Sequence, residues 1–183
     1  MIGSCVTISA FVYLVYVLLK HAVPLNPASW IMWTVLDLTI AIGMLKAKQS
    51  SAGMMVAFTI GAGTIASITV LQLLTGVTSW TWGSKETLTA VCFVVTLAAR
   101  QVSASDTLTM NIGATAMFIA GIPTLIDAWH NPAAQNALFW GMCAIGWIIT
   151  IMGTPRSFGR WYMPIGGAIL NGFIAALALG WIK

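Results

Sequence analysis

Residues 112–140 read IGATAMFIAGIPTLIDAWHNPAAQNALFW, and they echo residues 2–33 at the start of the chain, IGSCVTISAFVYLVYVLLKHAVPLNPASWIMW. Each passage opens on Ile-Gly, at Ile2-Gly3 and Ile112-Gly113, and runs apolar for about one helix. Each then reaches Asn-Pro-Ala, at 26–28 and 131–133, and enters an apolar helix with a Trp, Trp33 or Trp140. Trp33 follows Pro27 by six residues and Trp140 follows Pro132 by eight, so the match carries a two-residue gap. Further on, Gly61-Ala62-Gly63-Thr64-Ile65-Ala66 aligns with Gly167-Ala168-Ile169-Leu170-Asn171-Gly172. Repeats of this kind are a recurrent organisation of membrane transporters, whose paired bundles meet at a site near the midplane.

The composition places that repeat in lipid. Of 183 residues, 59% are hydrophobic and 7% charged, eight Lys or Arg and four Asp or Glu, and the mean hydropathy is +0.93. A soluble domain carries roughly a quarter of its residues charged, so the chain reads as an all-α integral membrane protein. Twelve charges cannot clothe a water-facing surface, which excludes a further soluble domain, a nucleic-acid-binding patch and a long disordered tail. Cys5, Cys92 and Cys143 lie in apolar stretches without CxxC or Cys/His spacing, so they read as small buried residues, with neither a disulfide framework nor a metal site.

A spanning helix needs roughly 20 mostly apolar residues, and the gaps between charges hold seven: 2–20, 28–45, 53–75, 87–101, 107–126, 135–152 and 161–182. The first has no basic region before it and no small-residue cleavage site after it, so it reads as a retained helix. The loop at 76–86 carries Trp80 and Trp82 and reads as lying along the headgroups. With three helices and one linker before it, the fifth span enters the membrane from the same side as the first. The repeats are therefore parallel. The units are residues 1–76 (three helices), 77–106 (surface loop and linker helix) and 107–183 (three helices). Lys46, Lys48, Arg100, Arg156 and Arg160 fall on the side of the N-terminus, against Lys20, Lys85 and Lys183 on the other, which favours a cytoplasmic N-terminus in a bacterial-type inner membrane.

A 3+1+3 chain of this length resembles the SWEET and PQ-loop superfamily of small-solute transporters, which includes the related nicotinamide-riboside-type vitamin transporters. In that family the first helix of each repeat ends in a Pro-Gln kink, followed by a short polar loop and a Trp-rich helix. The second repeat offers Ile122-Pro123-Thr124-Leu125-Ile126, then His130-Asn131-Pro132, then a helix with Trp140 and Trp147. Thr124 stands where the family has Gln, and the first repeat has Tyr13-Leu14 and lacks the motif. Asn171, in Gly166-Gly167-Ala168-Ile169-Leu170-Asn171-Gly172, resembles the family's substrate-facing Asn on the last helix. The resemblance implies a central pocket between two three-helix bundles that rock between openings to either side.

Read from the residues themselves, Asp37 is the sharpest signal, because a carboxyl in the middle of an apolar span costs about 2.5–3.5 kcal/mol on insertion scales. Trp33, Trp30, Ala41 and Met44 share its helix face at i−4, i−7, i+4 and i+7. Such a carboxyl can exchange a proton or contact a solute, or else hold the bundle through a hydrogen bond to a Thr, Ser or indole. Trp33, Trp140 and Trp147 offer flat faces to a ring-shaped or cationic solute, or pack and face lipid. Asn171 contacts substrate or bonds between helices, Pro123 is a hinge or a static bend, Tyr13 lines the cavity, and Tyr16 lines it or anchors at the interface. The glycines Gly61, Gly63, Gly166, Gly167 and Gly172 read as packing contacts, and His21, His130 and Asp127 as solvated helix ends.

No catalytic Ser/His/Asp or Cys/His set, HExxH or phosphate loop is present, so an enzyme is not expected. The last helix has no Lys before Lys183, which argues against a retinal-type Schiff base, and no cofactor is implied. The expectation is a facilitator or proton-coupled transporter of a small polar solute such as a sugar, amino acid or vitamin precursor. Its partners are the solute and the lipid bilayer, and a homo-oligomer is left open. The rival reading is a non-transporting scaffold or partner subunit.

Overall fold

The computed structural model describes residues 2–21, 23, 25–46, 52–101, 106–154 and 158–182; side chains at 43–44, 46, 52, 54, 100–101, 106–110 and 158–160 are outside that description. The fold is all-α. Among the described residues there are seven α-helices: α1 (Ile2–Lys20), α2 (Pro27–Lys46), α3 (Ala52–Leu74), α4 (Ser84–Gln101), α5 (Asp106–His130), α6 (Ala137–Gly153) and α7 (Phe158–Ala178). A short 3-10 turn, Pro132–Ala134, precedes α6.

Four of these, α1, α3, α5 and α7, are long and apolar enough to cross a membrane, and the chain is a multi-pass helical membrane protein. The sequence reading counts seven spans. The described apolar stretch of α2 stops at Ile42 although the helix itself runs to Lys46, and α6, Ala137–Gly153, rises about 26 Å, a little short of the roughly 30 Å of a hydrocarbon core. The least apolar helix, α4, carries Lys85 and Glu86 in its first turns. α5 also runs four residues past its expected end, because the helix continues through Pro123 to His130. A second proline, Pro164, lies inside α7. The side chains of Lys46, Lys48, Arg100, Arg156 and Arg160, on which the orientation rests, lie outside the described residues.

The helices pack as a closed ring of six with α4 outside it. Around the ring, α1 touches α3, α3 touches α2, α2 touches α5, α5 touches α7, α7 touches α6, and α6 returns to α1. Each set of three consecutive ring helices has the third helix between the first and second, α1-α3-α2 and α5-α7-α6. α4 lies against α5 and reaches the start of α2. Local details recur between the two triplets. Gly61 on α3 faces the Phe11 ring and Gly166 on α7 faces the Phe118 ring so closely that a Cβ at either would overlap the aromatic carbons. This pairs Gly61 with Gly166, one residue away from the pairing with Gly167 that sequence alignment suggests. Both third helices end on a glycine of left-handed backbone, Gly76 (φ 73°) and Gly180 (φ 71°). In each, the next residue's N–H closes on a carbonyl five back, Val77 to Gln72 and Trp181 to Ala176, both at 2.9 Å.

The two seams between triplets are built differently. At α1/α6 the backbones approach closely: a Cβ on Gly3 would lie 2.8 Å from the Gly146 carbonyl, and one on Gly146 3.2 Å from the Gly3 carbonyl. Gly3 and Thr7, and Gly146 and Thr150, are small residues one turn apart, the spacing that lets helices pack in lipid without large side chains. At α2/α5 an indole bridges instead, Trp33 Nε1 donating to the Met117 carbonyl at 3.0 Å. Gly146→Val is expected to force the α1/α6 seam apart and destabilise the fold by about 1–3 kcal/mol. Thermal unfolding in detergent reads this against Gly141→Ala, where a Cβ meets nothing within 4 Å, and which should melt like the parent.

Candidate functional site

Two capped helix starts aim the central side chains. Asn26 Oδ1 accepts the Ser29 N–H at 3.3 Å, with Pro27 in the first helical position, where its missing N–H costs nothing. Asn136 Oδ1 accepts the Phe139 N–H at 2.9 Å in the same way. Counting from each cap by 4, 7 and 11 residues gives Trp30, Trp33 and Asp37 on α2, and Trp140, Cys143 and Trp147 on α6. These offsets fall on one helix face. The register therefore pairs Trp30, not Trp33, with Trp140, and needs no gap. Asn131-Pro132-Ala133 heads the 3-10 turn, and Asn131 makes no side-chain cap bond. Asp37 occupies on α2 the place that Trp147 occupies on α6.

All six ring helices contribute to one central cavity of about 40 Å³. Trp33, Asp37, Trp140, Trp147 and Asn171 all line it, together with Trp30. The indoles of Trp30, Trp33 and Trp140 are in mutual contact, with centroids 5.1 Å (Trp30–Trp33), 6.0 Å (Trp33–Trp140) and 6.1 Å (Trp30–Trp140) apart. Trp147 is wedged deeper, stacked on Phe58 of α3 at 4.9 Å and seated over Gly167, where a Cβ would come within 2.6 Å of its ring.

The polar atoms of this aromatic lining divide into engaged and unengaged. Trp33 Nε1 is bonded to Met117 and Trp140 Nε1 donates to Gln135 Oε1 at 3.2 Å. Asn171 Nδ2 donates to the Gly167 carbonyl of its own helix at 2.7 Å, so that bond joins no second helix. Trp30 Nε1 and Asp37 Oδ1 are buried without a hydrogen-bond partner, in residues that are each 2% exposed. The interhelical bond that a purely structural Asp37 calls for is thus missing at Oδ1.

One residue expected at the cavity stands elsewhere, and the expected hinge or bend lies off the lining. Tyr13 is outside the cavity lining, half-buried, its hydroxyl accepting from Asn136 Nδ2 at 3.4 Å. Pro123 is buried within α5, also away from the lining. In the sequence Trp30 stands out only as a neighbour of Asp37 on its helix face. Its spacing from Asn26, equal to that of Trp140 from Asn136, was the available signal. Phe11, Phe58, Met117 and Phe139 also line the cavity, and nothing in the sequence sets them apart from other apolar residues.

A second polar centre ties α4 to both triplets. Asn26 Nδ2 donates to Glu86 Oε1 and to Asp127 Oδ2, both at 3.0 Å. Lys85 Nζ is paired with Asp127 Oδ1 and lies 3.6 Å from Glu86 Oε1. Glu86 Oε2 also accepts the Gly83 N–H at 3.0 Å. Asp127 is therefore bonded within the protein while its side chain stays 35% exposed, whereas His21 and His130 are exposed. Burial tends to raise the Glu86 pKa, but the hydrogen bonds from Asn26, its own backbone and Gly83, with the Lys85 charge, outweigh it and hold the carboxyl below its ordinary 4.5. A lowered carboxyl contributes stability that is complete above 4.5 and is lost as pH falls through the lower folded value. Melting curves across acid pH should show this loss in the parent and a flatter profile in Glu86→Gln, from a lower neutral-pH starting point. Coincident profiles would remove Glu86 from the stability of the α2/α4/α5 junction.

The chain matches no protein-family model, no curated protein and no solved structure.

Proposed function

We propose that this protein is a membrane transporter, facilitating or proton-coupled, that moves a small polar solute through the central cavity by alternating access between two three-helix bundles. The observation that carries the reading is the cavity itself, walled by all six ring helices and lined by two residues, Trp30 and Asp37, that each carry a buried polar atom without a partner. A carboxyl at the centre of a bundle costs about 2.5–3.5 kcal/mol, and Oδ1 of Asp37 has no hydrogen bond within the protein to offset it. A solute site can recover that cost each time it is filled. The same helix order in both triplets, the Phe-on-Gly contacts and the matched caps support parallel repeats of the SWEET and PQ-loop kind, at 1–76 and 107–183, with α4 as linker; the reading further takes all seven helices to cross an inner membrane. The basic residues near the N-terminal side favour a cytoplasmic N-terminus.

The described form is an occluded one on this reading. A cavity of about 40 Å³ holds roughly three waters, so entry requires the triplets to part along one seam. Parting α2 from α5 must separate Trp33 from the Met117 carbonyl and Asn26 from Asp127. Across the α1/α6 seam one longer bond, from Asn136 Nδ2 to the Tyr13 hydroxyl at 3.4 Å, joins the start of α6 to α1, and close backbone packing supplies the rest. Pro123, inside α5 beside the first of these seams, is the residue to test as a hinge.

Protein reconstituted in liposomes should give saturable flux of at least one labelled sugar, amino acid, amine or vitamin precursor. Trp33→Ala and Trp140→Ala should each weaken apparent solute affinity from a few-fold to about tenfold, the worth of roughly 0.5–1.5 kcal/mol for one aromatic contact, read on the folded fraction, because both buried indoles also hold the fold. Absence of flux for every compound would favour the scaffold, and unchanged flux in both variants would make the indole pair a packing feature.

A further inference from the structure

We infer that the cavity selects a small organic monocation bearing N–H donors, a guanidinium or ammonium, held by Asp37 Oδ1 with its apolar face against the indoles of Trp30, Trp33 and Trp140. The inference deepens the transport reading by naming the class of solute for the same site. It starts from the two unpartnered atoms. Asp37 Oδ1 is an acceptor and Trp30 Nε1 a donor, both buried, and burying such groups unpaired is unfavourable. Water can serve the indole N–H, and a carboxyl enclosed by aromatic rings is either neutralised by a proton or matched by a positive counterpart. Among the described residues that line the cavity there is no Lys, Arg or His, so a cation that pairs with the charged form comes from outside the chain.

The walls point the same way. Indole faces carry the negative side of the ring quadrupole and attract cations, whereas they and the carboxylate together repel anions. A neutral polyol presents many hydroxyls, and Trp33 Nε1, Trp140 Nε1 and Asn171 Nδ2 are already committed within the protein. Such a guest leaves most of its own polar groups unpaired. A cavity of about 40 Å³ beside these touching rings suits a guest of few heavy atoms. A guanidinium fits this description, with coplanar N–H donors for a carboxylate oxygen and a face that stacks on indole.

The test uses the purified full-length chain in detergent, with tryptophan fluorescence as readout and sodium chloride holding ionic strength constant. Methylguanidinium is compared with methylurea, its neutral isostere, and with tetramethylammonium, a cation without N–H. Saturable quenching by methylguanidinium is expected, with affinity at least about tenfold weaker for the other two. Asp37→Asn, which keeps size and removes charge, should bring methylguanidinium to the methylurea level. Equal affinity for methylguanidinium and methylurea, or unchanged binding in a folded Asp37→Asn, would overturn the inference. If Asp37→Asn does not fold, the comparison of probes on the parent protein decides alone. Flux of methylguanidinium into liposomes separates the two levels. Binding without flux keeps the cation site and removes the transport reading; flux of a neutral sugar with no methylguanidinium binding keeps transport and removes the cation site.

Discussion

Helices in lipid are not driven together by the hydrophobic effect, because lipid tails are as apolar as the side chains they would replace. Closing six helices into a ring therefore depends on how near their backbones can come. The α1/α6 seam meets that demand with Gly3 and Gly146, whose missing side chains let each helix rest against the other's carbonyls. Within the triplets, Gly61 and Gly166 make room for Phe11 and Phe118 in the same manner. Dispersion contacts accumulate only at such short range, so small residues set the diameter of the ring, and the diameter sets what fits inside.

What fits is mostly aromatic. Once glycines bring the outer contacts close, the faces of α2 and α6 that point inward are filled by Trp30, Trp33, Trp140 and Trp147, with Phe11 and Phe139 at their edges. Their placement follows from the caps. An Asn that satisfies the first free N–H groups of a helix also fixes where that helix begins, and hence which residues 4, 7 and 11 positions on share a face. Replacing one indole of that series by Asp37 breaks the likeness between the two halves at the centre of the molecule. The walls are shared by both triplets, and the charge belongs to one.

The junction of α2, α4 and α5 applies different physics. Asn26 is both the cap of α2 and the donor that joins Glu86 to Asp127, so the residue that sets the register of the central face also fastens the linker helix. Charge-assisted hydrogen bonds of this type are among the stronger polar contacts. They replace, near a helix end, what close packing supplies at the opposite seam.

The membrane character, the helical class and most helix limits were legible in the chain, because apolar run length and isolated charges report directly on lipid. Asp37, Trp33, Trp140, Trp147 and Asn171 were legible as a set, since an acid or amide in an apolar helix and recurring indoles stand out from their surroundings. Tyr13 was not separable in this way, because a Tyr on an apolar helix reads the same whether it faces a cavity or a neighbour's Asn136. The partnership of Trp30 with Trp140, the role of Asn26 at two helices and the bonding of Asp127 depended on tertiary structure. Each joins residues that are far apart along the chain, and a hydrogen bond or ring contact between distant residues leaves no periodicity for a single sequence to display. The sequence by itself determined that the helices belong to a membrane and which residues are chemically out of place there; the packing of the triplets decided that these residues meet in one cavity, because only helix contacts at glycine distance bring their inward faces together.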